Sequence, residues 1–168
     1  MKILIDTSYF LPLIKITIEG ISDRILLDVL LQSKNNLFYS DLSLFELTAK
    51  AFKYINKENQ ISIQDLMNGL DAIQNDSRLV YISWKGNPII IELAANLRKI
   101  HKDTIDCLIF ATAICNCDCI VTMDRDFYNQ ICLNNSIFEE IQSINKNFLF
   151  WFKDLSESPK HIKKNKNF

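Results

Sequence analysis

Glycine and proline are scarce in this sequence, with three residues of each among 168. Flexible linkers are usually rich in such residues, so the scarcity argues against several domains joined by long linkers. Long apolar runs are also absent, since none reaches the roughly 18 residues that a membrane-spanning helix requires. The first apolar segment, residues 2–5, meets Asp6 too early for the core of a signal peptide. We therefore expect a cytoplasmic globular protein without a membrane partner.

Cysteines in zinc-binding spacing are missing as well. Three of the five cysteines alternate at Cys115, Cys117 and Cys119, and no C-x-x-C pair or nearby histidine accompanies them. An odd number of cysteines without a secretion signal indicates reduced thiols in a cytosol. The formal net charge of −1 does not indicate nucleic-acid binding. It does not exclude such binding either, because acids that hold metal ions count as negative in this sum.

Short apolar segments alternate with longer segments of helical periodicity along the chain. Predicted strands cover residues 2–5, 37–39, 78–82, 118–122 and 137–141. Predicted helices cover residues 8–18, 21–33, 42–52, 61–73, 88–100 and 103–115. In the third of these helices, the apolar residues at helical spacing are Leu42, Phe45, Ala49 and Phe52.

This alternation is typical of the α/β class with a central parallel sheet of four to five strands. We expect residues 1–155 to form a single domain. Residues 156–168 are rich in lysine and are predicted to form a basic, frayed tail.

Acidic residues fall where predicted strands end and predicted helices begin. Asp6 follows the first strand, and Asp124 and Asp126 follow the strand over residues 118–122. Asp106 lies in the first turn of the helix over residues 103–115, and Glu46 lies within an earlier helix. The carboxyl ends of parallel strands and the starts of the following helices share one edge of a sheet. We therefore expect these carboxylates to converge at that edge.

Each of these acids also has a purely structural explanation. Asp6 can cap the helix that follows it, and Asp106 can interact favourably with the dipole of its own helix. Asp103 fits an N-cap even better, with Asp106 three residues later as in a capping box. Glu46, taken alone, would be a surface residue. These alternatives stay open at the level of the sequence.

A cluster of four carboxylates is costly in itself, because like charges repel unless a cation lies among them. Oxygen ligands without histidine or cysteine suit hard cations such as Mg²⁺ or Mn²⁺. A pair of these ions can activate water and stabilise the leaving oxygen in phosphodiester hydrolysis. The set Asp6, Glu46, Asp106 and Asp124 is therefore a candidate metal site.

Four segments, in order, resemble the motifs of PIN-domain ribonucleases. They are residues 3–8 (ILIDTS), 42–47 (LSLFEL), 106–113 (DCLIFATA) and 121–127 (VTMDRDF). The resemblance implies a three-layer α/β/α fold and RNA cleavage that depends on Mg²⁺ or Mn²⁺. It implies Asp6, Glu46, Asp106 and Asp124 as catalytic, metal-binding acids. The supporting residues that we expect around them are Asp126, Thr122, Asp103 and Thr7.

The resemblance also implies partners. RNA is the expected substrate, and many small members of the family are VapC-like toxins that an antitoxin protein holds inactive. A further apolar stretch, residues 148–152 (FLFWF), is either buried in the monomer or exposed as a patch. An exposed patch would serve a homodimer, which we expect, or an antitoxin.

Two other functions stay open. The first is a non-catalytic PIN-like module that binds RNA or a protein partner, which an incomplete set of acids would favour. The second is a phospho-acceptor α/β domain with an aspartate at a strand end. It ranks last, because the residues around Asp6 lack the paired D-x-D of the haloacid-dehalogenase type.

Overall fold

A computed structural model describes residues 1–18, 22, 24–32, 35–58, 61–152 and 160–161. In these residues, the central sheet has five parallel strands and a two-residue sixth strand that is antiparallel to its neighbour. The strands are β1 (Lys2–Ile5), β2 (Asn36–Ser40), β3 (Leu79–Ile82), β4 (Cys119–Thr122), β5 (Leu149–Phe152) and β6 (Lys160–His161). Their order is β3-β2-β1-β4-β5-β6, so β1 lies inside the sheet. The rest of the predicted tail lies outside the described residues.

Helices connect the strands and begin mostly at side chains that can cap them. Within the described ranges, they are a 3₁₀ helix (Thr7–Ile14) and the α-helices α1 (Ile25–Gln32), α2 (Asp41–Glu58), α3 (Ile63–Gln74), α4 (Pro88–Leu97), α5 (Thr104–Asn116), α6 (Arg125–Cys132) and α7 (Asn135–Ile144). The capping side chains that accept a backbone N–H are those of Asp6, Ser62, Asn87, Asp103, Asp124 and Asn134. None of these helices combines the length and the apolar character needed to cross a membrane.

Apolar clusters cover both faces of the sheet, as the middle strand β1 shows. Ile3, Leu4 and Ile5 are fully buried. Successive side chains of a strand point to opposite faces. Leu4 accordingly packs in the cluster that contains residues of α4 to α7, whereas Ile3 and Ile5 pack with residues of the 3₁₀ helix and α1 to α3. The predicted three-layer α/β/α fold is therefore confirmed.

The prediction of a last strand over residues 137–141 is wrong. These residues lie in α7, where Ile137, Phe138 and Ile141 form one buried helical face. The fifth parallel strand is β5 instead. In β5, Phe150 is fully buried and Trp151 is 8% exposed. Of the two alternatives for the stretch 148–152, the structure therefore shows burial in the domain rather than an exposed patch.

The helix predicted over residues 8–18 is a 3₁₀ helix that ends at Ile14. Pro12 lies in its interior, and proline has no N–H to donate to an α-helical ladder. Lys15 ends the helix in the left-handed region, with φ of 61°. Its N–H donates to the carbonyl oxygen of Pro12 at 3.0 Å, which closes the last turn.

Gly69 in α3 allows this helix to approach the end of the 3₁₀ helix. A Cβ atom at Gly69 would lie 2.5 Å from Ile14 Cγ2 and 2.8 Å from the backbone oxygen of Leu13. We expect Gly69→Ala to lower the free energy of unfolding by about 1–3 kcal/mol through overpacking. The intrinsic helix preference of alanine, about 1 kcal/mol over glycine, offsets only part of this loss.

The measurement for Gly69→Ala is unfolding in urea beside the parent. Met67→Ala, at an exposed position of the same helix, is the control. We expect the control to change stability by less than about 0.5 kcal/mol. A Gly69→Ala variant as stable as the parent would contradict a close approach at this point.

Candidate active site

Two neighbouring strands deliver the first group of site residues to the carboxyl edge of the sheet. Asp6 directly follows β1, and β1 pairs in parallel with β4, with Ile5 beside Val121. The N–H of Asp6 donates to the carbonyl oxygen of Val121 at 3.0 Å. The register therefore brings the end of β4, Thr122, to the side chain of Asp6.

Hydroxyl groups hold the carboxylate of Asp6. Its Oδ2 accepts hydrogen bonds from Ser8 Oγ at 2.6 Å and from Thr122 Oγ1 at 2.8 Å. Thr122 is buried, and its Oγ1 also accepts from the N–H of Asp124 at 3.0 Å. Thr122 thus links Asp6 to the backbone of Asp124. The capping alternative for Asp6 holds as well, since Oδ2 accepts from the N–H of Ser8 at 3.4 Å.

Glu46 lies on the inward face of α2, with only 6% of its surface exposed. The stripe that contains Phe45 and Phe52 does not face the core, since these residues are 62% and 51% exposed. The inward face runs through Ser43, Glu46, Leu47 and Ala51. The large rings at helical spacing suggested the opposite face, but they are exposed and the buried face of α2 carries Glu46.

The carboxylate of Glu46 is only partly satisfied. Its Oε1 lies 2.5 Å from Lys50 Nζ, one turn later in α2, whereas Oε2 is buried without a hydrogen-bond partner. The hydroxyl of Thr7 is buried near it, and the interaction of the two side chains lowers the pKa of Glu46. Burial and the charge of Asp6 raise the pKa of Glu46, and Lys50 opposes them.

Asp106 occupies the first turn of α5, where Asp103 is the N-cap. Asp103 Oδ1 accepts from the N–H groups of Ile105 and Asp106 at 2.8 and 3.3 Å. The Oδ2 of Asp106 lies 3.0 Å from His101 Nε2. Burial, followed by the charges of Asp6 and Glu46, raises the pKa of Asp106 to about 7. Three elements of the fold thus bring Asp6, Glu46 and Asp106 into electrostatic contact, and this set is called the acidic pocket below.

The last two acids are exposed, and of the two only Asp124 is linked to the acidic pocket, at its rim. Asp124 is exposed and caps α6, with Oδ1 accepting from the N–H of Phe127 at 2.8 Å. Asp126 is exposed in the first turn of α6. The structure links Asp124 to Asp6 through Thr122, and it gives no such link to Asp126.

The sequence profile of the PIN domain matches residues 3–130, which is 128 of the 168 residues. The chain belongs to the PIN-domain family. A comparison with curated protein sequences gave no match. PIN domains are generally nucleases, and the matched span contains all four motifs and all of the acids above. Membership therefore indicates a nuclease, and the five parallel strands agree with a PIN-like fold.

PIN-domain nucleases typically use divalent metal ions, and the residues of this PIN domain fit such an ion chemically. The donors are all carboxylate oxygens, which suit Mg²⁺ or Mn²⁺. Glu46 Oε2 is buried without a partner, and burial together with the charge of Asp6 raises the pKa values of both Glu46 and Asp106. In the part of the chain that the structure describes, no three acidic, histidine or cysteine side chains already form a metal-binding group.

Sequence patterns alone indicated neither Lys50 nor His101 as part of this PIN-domain site. Lys50 had a readable signal, because a lysine four residues after a glutamate is placed to pair with it on a helix. His101 had none, since it lies in the loop before α5, where no periodicity applies. Its Nδ1 lies 2.8 Å from Gln130 Oε1, and its ring lies 4.5 Å from that of Phe127. These two contacts with α6 hold the ring of His101 beside Asp106.

Proposed function

We propose that this PIN-domain protein is a cytoplasmic endoribonuclease that hydrolyses RNA phosphodiester bonds with Mg²⁺ or Mn²⁺. The observation that supports this best is the acidic pocket, where Asp6, Glu46 and Asp106 repel one another. Bringing these charges together by folding costs free energy, and a divalent cation offsets that cost. A purely structural role for all three acids gives no reason for this repulsion.

In this proposal, Asp6, Glu46 and Asp106 bind the metal, and Asp124 completes the set from the rim. The Oδ1 of Asp124 caps α6, so its Oδ2 is the atom that would face an ion. When bound, the metal ions supply a water of lowered pKa and stabilise charge on the leaving oxygen. Either Asp106 or Asp124 could orient the attacking water as a base.

The supporting residues act on the acids rather than on the substrate. Thr122 donates to Asp6 and accepts from the N–H of Asp124, which fixes both positions. Asp103 orders the first turn of α5 and so places Asp106. Thr7 places its buried hydroxyl beside Glu46 and favours the charged carboxylate. Asp126 is proposed only as a further acid near Asp124, in the first turn of α6.

Added metal provides the direct test. Mn²⁺ at about 100 times its Kd should stabilise the protein by about 2.7 kcal/mol, because it binds only the folded state. For a domain of this size, that is a rise in Tm of about 5–10 °C. A mixed RNA pool should be cleaved with Mn²⁺ or Mg²⁺ and left intact with EDTA. Cleavage that survives EDTA would reject the metal mechanism.

A non-catalytic module that binds RNA or protein is the second candidate. One observation favours it, because the carboxylate of Glu46 is already paired with the ammonium group of Lys50. Binding of RNA without cleavage and without a Mn²⁺-induced rise in Tm would support this candidate over the nuclease.

The toxin role, the antitoxin partner and the homodimer stay predictions from the resemblance to VapC-like proteins. The stretch 148–152 cannot supply the contact, since Phe148, Phe150 and Trp151 are buried. Any partner would therefore bind another surface of the domain.

A further inference from the structure

Lys50 is the basic residue that reaches the acidic pocket from within α2. Its Nζ lies 2.5 Å from Glu46 Oε1, and the two residues are one helical turn apart. The side chains differ in exposure, at 38% for Lys50 and 8% for Glu46. The ammonium group can therefore reach solvent by rotation of its stem, whereas the carboxylate cannot.

The charge of Lys50 acts on all three acids of the pocket. Glu46 on its own helix, Asp6 after β1 and Asp106 on α5 each favour the charged ammonium and raise the pKa of Lys50, against the effect of burial. One positive charge thus faces three carboxylates from three elements. No other lysine or arginine has a described electrostatic contact with all three.

Lys50 compensates the charges of the acidic pocket only in part, since the Oε2 of Glu46 has no hydrogen-bond partner. Lysine carries a compact, strongly hydrated charge on a flexible stem, so it neutralises a carboxylate without fixing its second oxygen. A divalent cation carries twice the charge and can bind several carboxylate oxygens at once. The two cations would compete for the same oxygens.

We propose that Lys50 is the built-in counter-ion of the acidic pocket, and that a divalent cation must displace its ammonium group from Glu46 in order to bind. This inference rests on the proposed function in one respect, namely that the ion binds at these carboxylates. Beyond the proposed function, the inference assigns two effects to Lys50. Its charge lowers the affinity of the pocket for the metal ion, and it stabilises the metal-free protein.

Lys50→Met separates these two effects, because methionine keeps much of the apolar stem and removes the charge. Loss of a positive charge beside the ion should lower the Kd for Mn²⁺ on the order of tenfold at pH 8. The Tm of the metal-free variant should fall, because the carboxylate of Glu46 is left buried without its partner. Metal therefore raises the Tm of this variant more than that of the parent.

Two variants control for the substitution. Lys53→Met makes the same change at an exposed position of α2, and we expect parental values of both Kd and Tm. Lys50→Arg keeps the charge, so its affinity for Mn²⁺ should stay close to that of the parent. If Lys50→Met does not fold, Lys50→Gln removes the charge with a polar side chain and takes its place.

Isothermal titration with Mn²⁺ and thermal melting without metal test the inference independently of RNA cleavage. Tighter binding and a lower metal-free Tm in Lys50→Met, but not in Lys53→Met, support it. Equal Kd values for Lys50→Met and a metal-binding parent would overturn it and leave the proposed nuclease intact. Tightening to the same degree in Lys53→Met would also overturn it. Binding of Mn²⁺ by none of the proteins would reject the metal-dependent function and this inference together.

Discussion

Asp106→Asn is expected to lower RNA cleavage by at least roughly a hundredfold, because one negative charge is lost from the metal-binding set. Asparagine keeps the size of the side chain and can still form a hydrogen bond with His101. The loss therefore reports on charge rather than on packing. Initial rates of cleavage with saturating Mn²⁺ measure the effect.

The same substitution should leave the metal-free protein at least as stable as the parent at pH 8. The pKa of Asp106 is raised to about 7, whereas an unfolded aspartate titrates near about 4. The folded parent thus binds the proton more tightly, and its stability falls as the pH rises from about 4 through about 7. Asparagine does not titrate, so the variant loses no stability in this range. It should be more stable than the parent at pH 8, and this difference in stability should vanish near pH 4.

Asp103→Asn is the matched control, three residues earlier on the same chain segment. Asparagine caps helices about as well as aspartate, so stability should stay near that of the parent. Activity should also stay near the parental value if Asp103 acts through the cap alone. Equal losses of activity in Asp103→Asn and Asp106→Asn would contradict the distinct positions that the two acids have in α5.

Phe110→Ala is expected to lower the free energy of unfolding by about 3–5 kcal/mol, the usual loss for a large ring in a core. Phe110 is fully buried, and its ring lies 5.2 Å from that of Phe127 and 4.8 Å from that of Phe150. The cavity would lie between α5, α6 and β5. Such a loss is a large part of the total stability of a typical domain.

Phe45→Ala tests whether burial rather than ring removal causes the loss. Phe45 is 62% exposed on α2, and we expect its truncation to change stability by less than about 0.5 kcal/mol. Denaturation in guanidinium chloride measures both variants. Similar losses in the two would contradict the orientation of α2, and with it the burial of Glu46.

The sequence predicted the fold well where the residues are constrained locally. Residues 2–5 form β1 as predicted, and Asp103 caps α5 as predicted, because an apolar run and a capping aspartate act within a few residues. The α/β class followed from the alternation of such segments. The last strand was misplaced, since Ile137 and Ile141 suit a helix and a strand almost equally.

The pocket was only partly accessible from sequence, because it depends on how distant elements pack. The motifs pick out Asp6, Glu46 and Asp106, which the structure places in electrostatic contact. The orientation of α2 was not evident, since Phe45 and Phe52 suggested an inward face but are exposed, whereas Glu46 is buried. The contact of His101 with Asp106 depends on a loop conformation that no periodicity encodes.

The position of β1 inside the sheet has a consequence for the timing of synthesis. β1 is translated before β4, and the two partners of the Thr122–Asp6 hydrogen bond lie 116 residues apart along the chain. Contacts of such long separation form late in folding, because the intervening chain must first be ordered. A nascent chain that ends before β4 therefore holds Asp6 without its lateral support. The acidic pocket of a nascent chain would thus stay incomplete until β4 has been synthesised and paired with β1.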